Sequence, residues 1–560
     1  MPINTLMKNI RYFILIALLS ISTFGFAQVI WENKNNPVYT YLSRMADKGF
    51  ISLNDMIQPI PRNIIESKLQ ELLIKKEQLN KIELADLLFY LEEFSDSKID
   101  TNAIQIGLLV KDKSQRWRTL NLTSNNFTLK MDPIISANYL IGDINNITQV
   151  SNGISLWGTV GKKWSYQVYY QDYTERGTVR KYYTVNGNNF QRSESSPGFF
   201  LVGLNNETMI NHSDLRASIT YSFKNGSLSF LKDNFLWGYG ENGRIIHSDR
   251  APTYPHIRFD YSPIKGLHFN MIHGWLNSNL VDSNQSYHIN SGGVSGDIRI
   301  IYIPKFIASH SLLINLKKGL DIAIGESVIY SDQLDPGFMI PINLYKIYDD
   351  LRSNYRINAG ANGQYFLQLS SRNQIKNTHL YGSLFIDEIR LSEMFNAKKS
   401  RNQIGFTLGG TVTDYFLPNL KLGIEYTRVN PFVYNNLIPA QQYTNYDYFL
   451  GDWMGSNFQR KILFARYNYL PRLNFYARIQ LINKGGPGSL YDQYNAEPQP
   501  SFLSDYQLSR NDIYLQASYE WFHNFYVKAG TTYIYEKITT GAGKKKYETL
   551  FNIGCSFGLP

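Results

Sequence analysis

The end of the chain alternates between greasy and wet positions. Tyr547, Thr549, Phe551, Ile553, Cys555, Phe557 and Leu559 fall on one face, and Glu548, Asn552, Gly554, Ser556 and Gly558 on the other, with Leu550 the one apolar intruder. Successive side chains of a strand point to opposite faces, so this is a strand with one apolar side. Lipid offers the backbone no hydrogen-bond partners, so a sheet crosses a membrane only when it closes on itself. The strands of such a barrel alternate apolar-out and polar-in. A closing strand of this kind, at the very C-terminus, points to a bacterial outer-membrane β-barrel.

The two-residue period begins near Asn126. Phe475, Ala477, Ile479 and Leu481 alternate with Tyr476, Arg478 and Gln480, and Ile513, Leu515, Ala517, Tyr519 and Trp521 with Tyr514, Gln516, Ser518 and Glu520. Eight short turns recur, near 161–163, 224–226, 263–266, 317–319, 372–373, 417–418, 471–472 and 523–524. One strand before the first long loop, eight hairpins and the final strand make about 18 antiparallel strands, and the even number returns both chain ends to the periplasm. Residues 297–304 also read as a strand, but parity assigns them to a loop. Residues 105–111 precede the barrel or line it. The long segments, roughly 173–214, 232–254, 275–307, 331–362, 429–459 and 484–511, are then expected outside.

Residues 36–94 have a different period. Asn36-Pro37 is a helix start, Val38, Leu42 and Met45 follow helical spacing, and Gly49 is a stop signal. A second helix is predicted after Pro61, with Ile65, Leu69 and Leu72 on one face, and a third over 81–94 with Leu84, Leu87, Leu88 and Leu91. Ahead of them, Lys8 and Arg11 precede an apolar run from Phe13 to Ala27, which reads as a secretory signal. The expected organisation is a signal peptide over 1–27, a helical periplasmic domain over 28–100 and a barrel over 101–560. The helical domain serves either as a packing plug or as a dock for a periplasmic protein.

Composition narrows the function classes. Tyr numbers 41, Phe 32 and Gly 40 at a mean hydropathy of −0.29, which suits a barrel with aromatic girdles rather than helical spans. A single Cys, on the greasy face, excludes an intramolecular disulfide and a multi-cysteine metal site, and no cofactor is expected. The formal charge of +10 becomes +8 once Lys8 and Arg11 leave with the signal. That surplus favours acidic polysaccharide or lipopolysaccharide phosphate as partners. No recognition motif or basic cluster points to nucleic acid.

Three motifs carry less than they promise. Gly238-Tyr239-Gly240-Glu241-Asn242-Gly243 has dinucleotide-loop spacing, but no helix opens after it. His212-Ser213-Asp214 and His247-Ser248-Asp249 hold hydrolase residue types as sequence neighbours, an arrangement that does not build a triad, and no nucleophile elbow is present. Arg258 and Asp260 share one strand face and are expected to pair in the lumen. The chain is therefore expected not to be an enzyme. The texture that does suggest chemistry is the mixture of rings and amides in the long loops. Tyr434, Tyr443, Tyr446, Tyr448, Trp453 and Tyr491 are interleaved with Asn435, Gln442, Asn445 and Gln493. Flat rings stack on sugar faces and amides read hydroxyl edges. An interfacial aromatic belt with ordinary polar loops is the plainer reading of the same residues.

The stretch from Lys232 through Trp237-Gly238-Tyr239-Gly240-Glu241-Asn242-Gly243 and Arg250-Ala251-Pro252 to Arg258 resembles the capsule-assembly Wzi family of Gram-negative outer membranes. So do the opening Asn36-Pro37-Val38-Tyr39-Thr40-Tyr41-Leu42, Gly49 and Pro61-Arg62, and so does the order of signal, helical domain and barrel. The Tyr- and Asn-rich texture suggests a Bacteroidetes-type member. The terminal Pro560 departs from the aromatic residue that commonly ends a barrel. The resemblance implies a surface lectin that retains capsular polysaccharide or another exopolysaccharide, with Trp237, Tyr239 and Arg250 joining Tyr434, Asn435, Tyr443, Tyr446, Tyr448, Trp453 and Tyr491 as candidate ligand contacts. An accessory part of a secretion or gliding apparatus is the alternative, and an outer-membrane hydrolase a more distant one.

Overall fold

The computed structural model describes residues 28–95, 103–112, 116–142, 146–177, 183–185, 188–190, 199–200, 209–289, 298–353, 360–396, 398–539 and 544–558. The expected signal over 1–27 lies outside them, as does Leu559.

Eighteen antiparallel strands form a closed barrel. They are β1 (Phe127–Gly142), β2 (Asn146–Val160), β3 (Trp164–Gly177), β4 (Met209–Phe223), β5 (Gly226–Asp233) and β6 (Tyr254–Ile264). Next come β7 (Leu267–Val281), β8 (Tyr302–Lys317), β9 (Leu320–Ser331), β10 (Asn362–Arg372), β11 (Thr378–Glu388) and β12 (Gln403–Thr413). The last six are β13 (Leu420–Val429), β14 (Phe458–Leu470), β15 (Leu473–Lys484), β16 (Leu508–Phe522), β17 (Phe525–Ile538) and β18 (Lys544–Phe557). Closure runs through β18 and β1, with Phe551 opposite Ile141, Ile553 opposite Tyr139 and Cys555 opposite Ala137.

The facing follows the sequence period. Tyr547, Phe551 and Ile553 are 58, 53 and 58% exposed on the outer wall, while Glu548 between them is buried. Ile479, Leu481, Ile513 and Leu515 likewise look outward, and Arg478, Gln480 and Asp512 inward. The exterior is thus an apolar band that a bilayer satisfies, and these inward positions are polar. Among the described residues, no helix is long and apolar enough to cross a membrane. At the short-turn end, rings collect at the edge of the band. Trp164 lies 5.0 Å from Tyr221, Phe522 stacks on Phe525 at 5.0 Å, and Trp521 is exposed. Aromatic side chains settle at a lipid–water boundary because a ring is apolar and its polar tip is wet.

Among the described residues, three α-helices precede the barrel: α1 (Val38–Asp47), α2 (Arg62–Ile74) and α3 (Lys81–Phe94). The Asn36 side chain accepts from the Val38 N–H at 3.0 Å, and Gly49, at φ 76°, ends the turn after α1. Asn80 and Glu83 form a reciprocal capping box on α3. Ile65, Leu69, Leu72 and Leu87 lie with Val38, Leu42 and Met45 in one small core.

Several connections differ from the expected map. Residues 302–304 belong to β8, not to a loop. Ala103–Lys111 pairs with Trp117–Ser124, which pairs with residues 127–131 of β1, so this hairpin extends the barrel sheet at the seam, where the buried Arg118 pairs with Asp132 at 2.9 Å. An additional connection, 389–402, joins β11 to β12 at the long-loop end. The largest correction concerns 234–253 and 430–457, which were expected to face outward. Both fold into the lumen.

Candidate functional site

The lumen is filled from two directions. The 234–253 loop turns down beside the wall, and Leu236–Trp237 forms a two-stranded pair with Ile57–Gln58 ahead of α2. The 430–457 loop packs over it. Tyr434 donates its hydroxyl to the Ile245 carbonyl at 2.6 Å and Tyr443 to the Ile246 carbonyl at 2.9 Å, and the two rings stack with centroids 5.6 Å apart. Trp453 donates its indole N–H to the Asn242 carbonyl at 2.7 Å, and the Asn445 amide donates to the Pro252 carbonyl at 3.0 Å. Wall residues from β6 to β15, among them Ile272, Ile307, Phe366, Phe385, Phe458 and Ile482, complete one apolar core with these loops.

Charge holds the plug where apolar contact does not. Arg460 of β14 and Asp452, both fully buried, form a bidentate pair at 3.0 and 2.6 Å. Gly243 lies against that pair, at φ 148°, where an added Cβ would come 2.4 Å from the carboxylate. The glycine spacing that resembles a nucleotide loop is therefore a packing requirement. The tip of the 234–253 loop is read by the wall as well. The Glu241 N–H donates to Glu425 at 2.9 Å, and the Tyr476 hydroxyl to the Glu241 carboxylate at 2.7 Å.

The helices stopper the short-turn mouth. Arg372 of β10 donates to Asp47 at 2.9 Å and to both oxygens of Asp55 at 2.9 and 2.8 Å; Lys421 of β13 reaches Asp47 at 2.6 Å. Tyr239, from the lumen loop, donates to the same Asp55 at 2.7 Å. Lys34 pairs with Asp249. Burial works against the Asp249 charge, but the nearby Lys34 and Arg250 hold its carboxyl well below the usual range. The expected lumen pair is present too, with Arg258 donating to Asp260 at 2.8 Å.

Neither His-Ser-Asp triplet assembles. His247 meets the Tyr254 hydroxyl at 2.7 Å, Ser248 donates to the Gly451 carbonyl at 2.5 Å, and Asp249 turns to Lys34. Burial pushes the His247 ring down to about 3, so it is neutral and serves as a packing partner. In the other triplet, His212 stacks on Tyr173, Ser213 donates to Asp172 at 2.5 Å, and Asp214 binds Arg216. Among the described residues, no three His, Cys, Asp or Glu are grouped to hold a metal ion.

The candidate ligand contacts separate into two sets. Trp237, Tyr239, Tyr434 and Tyr443 are buried in the plug, so the expectation of exposed ring faces is corrected for these four. Arg250, Asn435, Tyr446, Tyr448 and Trp453 are half-buried, and Tyr491 is 70% exposed. Arg250 is turned to Asn242 at 2.8 Å, and the Tyr446 N–H donates to the Asn277 carbonyl at 2.9 Å. Tyr491 lies on a short helix, Leu490–Asn495. Its neighbour Gln493 is buried and donates to the Asn435 carbonyl and to Gln403, each at 3.2 Å. The 389–402 connection joins the same cluster. The Asn430 side chain donates to the Asn402 carbonyl at 2.9 Å, Arg390 lies 3.9 Å from Glu497, and Arg401 sits over the Tyr494 ring at 5.7 Å. This cluster exposes Tyr491, Phe395, Lys398 and Lys399 together. The sequence reading missed Phe395 and the cations. The signal was parity, since a connection at the long-loop end is obligatory between the turns at 372–373 and 417–418.

The architecture has a solved counterpart. Over 95% of this chain and 99% of its own length, the Escherichia coli protein Wzi superposes with a TM-score of 0.55 at 12% sequence identity; it is described as an outer-membrane protein involved in group 1 capsule assembly and a carbohydrate-binding β-barrel. The Pseudomonas aeruginosa barrel OccK8 (OprE) aligns over 77% of this chain with a TM-score of 0.41 at 10% identity. No protein-family model and no curated protein matches the chain. The likeness to Wzi establishes a shared fold, that of a closed β-barrel.

Proposed function

We propose that this protein is a surface lectin, exported by the leader over 1–27, that retains acidic capsular or other exopolysaccharide on the outer leaflet. The observation that carries the reading is the lumen core in which Tyr434 and Tyr443 latch onto the 234–253 loop. A barrel whose interior is spent on packing has its outer rim left for binding, where loops on a rigid scaffold concentrate recognition. The rim cluster of 389–402, 435–438 and 485–507 supplies what an acidic glycan needs. Tyr491 and Phe395 offer ring faces for sugar stacking, Arg390, Lys398 and Lys399 offer charge, and Asn435 an amide beside them. The carbohydrate binding described for Wzi is in the same chemical class.

Single contacts of this kind are weak, about 1 kcal/mol each. Retention then arises from many copies gripping one polymer. The test is binding of the folded protein to immobilised acidic and neutral polysaccharides across a salt series. The Tyr491→Ala, Phe395→Ala, Lys398→Gln, Lys399→Gln variant should lose most binding to the acidic polymer while keeping its barrel, and binding by the unaltered protein should fall with salt. In cells the same variant should shed polymer into the medium. Unchanged cell-associated polysaccharide in this variant and in a full deletion of the gene would remove the lectin reading. The apparatus reading, with the helices as a periplasmic dock, would then replace it.

A further inference from the structure

The short-turn rim is divided into two unlike arcs. Over the turns at 414–419, 471–472 and 523–524 the helices sit directly on the barrel. Lys48 pairs with Asp414 at 2.7 Å, Asn80 donates to Asn419 at 2.9 Å, Asp86 accepts from the Arg472 N–H at 2.9 Å, and Phe89 stacks on His523 at 3.8 Å. The other five turns, at 161–163, 224–225, 265–266, 318–319 and 373–377, are consecutive around the rim and contain no Asp or Glu. In or beside them stand Lys162, Lys224, Lys265, Lys317 and Lys376, all exposed, whose ammonium groups have no hydrogen-bond or ion-pair partner among the described residues. Two further lysines of this arc are engaged: Lys163 donates to the Tyr221 hydroxyl and Lys318 to the Gly49 carbonyl.

Each free ammonium has an outward apolar neighbour. Val160 precedes Lys162, Ile264 precedes Lys265, Leu316 precedes Lys317 and Ile375 precedes Lys376, with exposures of 46, 66, 60 and 62%. Tyr261, also exposed, is paired across the sheet with Gly226, beside Lys224. A lysine whose stem runs along such residues keeps its head at the level of the lipid phosphates. A row of like charges at one height, without acids to neutralise it, carries a repulsive cost unless anions lie opposite.

We infer that Lys162, Lys224, Lys265, Lys317 and Lys376 form a docking arc for anionic phospholipid headgroups of the leaflet at the short-turn end. Those phosphates occupy the height and sign that the lysines require, and five contacts spread over consecutive turns match a line of annular lipids rather than one bound molecule. The arc would fix the height and tilt of the barrel along these five turns.

The test is native mass spectrometry of the folded full chain in detergent, supplied with equal amounts of phosphatidylglycerol and phosphatidylcholine. The unaltered protein should retain phosphatidylglycerol selectively. The variant Lys162→Gln, Lys224→Gln, Lys265→Gln, Lys317→Gln, Lys376→Gln should reduce that selectivity by about tenfold or more. Replacing the same five by Arg should restore it. Lys461→Gln, Lys544→Gln, Lys545→Gln, exposed at the long-loop end, should leave it unchanged. Heat-modifiable migration checks that each variant is folded. Should the glutamine variant fail to fold, the unaltered protein in 0.5 M salt provides the second measurement, in which selectivity should collapse. Equal selectivity with and without the five lysines, salt-insensitive retention, or loss confined to binding of a soluble acidic glycan would each overturn the inference.

Discussion

Replacing Tyr434 and Tyr443 by alanine should unlatch the lumen plug without unmaking the barrel. Both rings are fully buried, stack at 5.6 Å, and donate to the Ile245 and Ile246 carbonyls. Removing a buried aromatic side chain costs about 3–5 kcal/mol. At 1.4 kcal/mol per decade, one such change raises the population of a displaced loop by about two to three and a half orders of magnitude. The rings touch, so the double replacement should cost less than twice either single one. Tyr434→Phe keeps the ring and strands the Ile245 carbonyl, with the longer Asp452 N–H contact at 3.3 Å, for about 1–3 kcal/mol. The wall does not depend on these residues, since Val429 and Phe458 pair across β13 and β14 through backbone hydrogen bonds. Planar-bilayer recording is the assay. The unaltered protein should be silent, Tyr434→Phe nearly so, and the double alanine variant should show intermittent openings, all with normal heat-modifiable migration. A steady porin-sized conductance in the unaltered protein, or a silent double variant, would refute the latch.

Two further outcomes follow from facing and burial. Phe551→Arg and Ile553→Arg place a charge on the lipid wall, at about 2–4 kcal/mol near the midplane, and should block assembly, whereas Asn552→Arg faces the lumen and should be milder; equal loss of heat-modifiable barrel at 551 and 552 would show the facing to be wrong. Burial raises the Asp86 carboxyl to about 6 from an ordinary 3.8, so the folded state binds its proton more tightly than the unfolded one. Stability should therefore decline as pH rises from about 4 to 6, by at most about 3 kcal/mol, and Asp86→Asn should flatten that part of the pH profile in thermal melts; an unaltered slope would count against a buried charge there.

What the sequence determined by itself was whatever local periodicity and the demands of lipid dictate together. A two-residue alternation says which side chains face hydrocarbon, and an even number of strands follows once the sheet must close, so the eighteen strands and the outward faces of Phe551 and Ile553 were legible in advance. The three helices were legible for the same reason, through Asn36-Pro37, Gly49 and the spacing of Ile65, Leu69 and Leu72. The side of the rim on which a loop settles has no such signature. Tyr434, Tyr443, Trp237 and Tyr239 have the composition of a sugar-binding loop and equally that of a plug, because an aromatic ring with a polar tip suits a wet surface and a polar lumen alike. Tertiary structure decided between them by pairing Leu236–Trp237 with Ile57–Gln58, far apart in the chain, and by setting Arg460 against Asp452. It also brought 389–402 against 485–507 at one rim and left five lysines uncovered at the other. Those juxtapositions arise only when the sheet closes, since closure alone sets which loops share a rim and which turns the helices can reach.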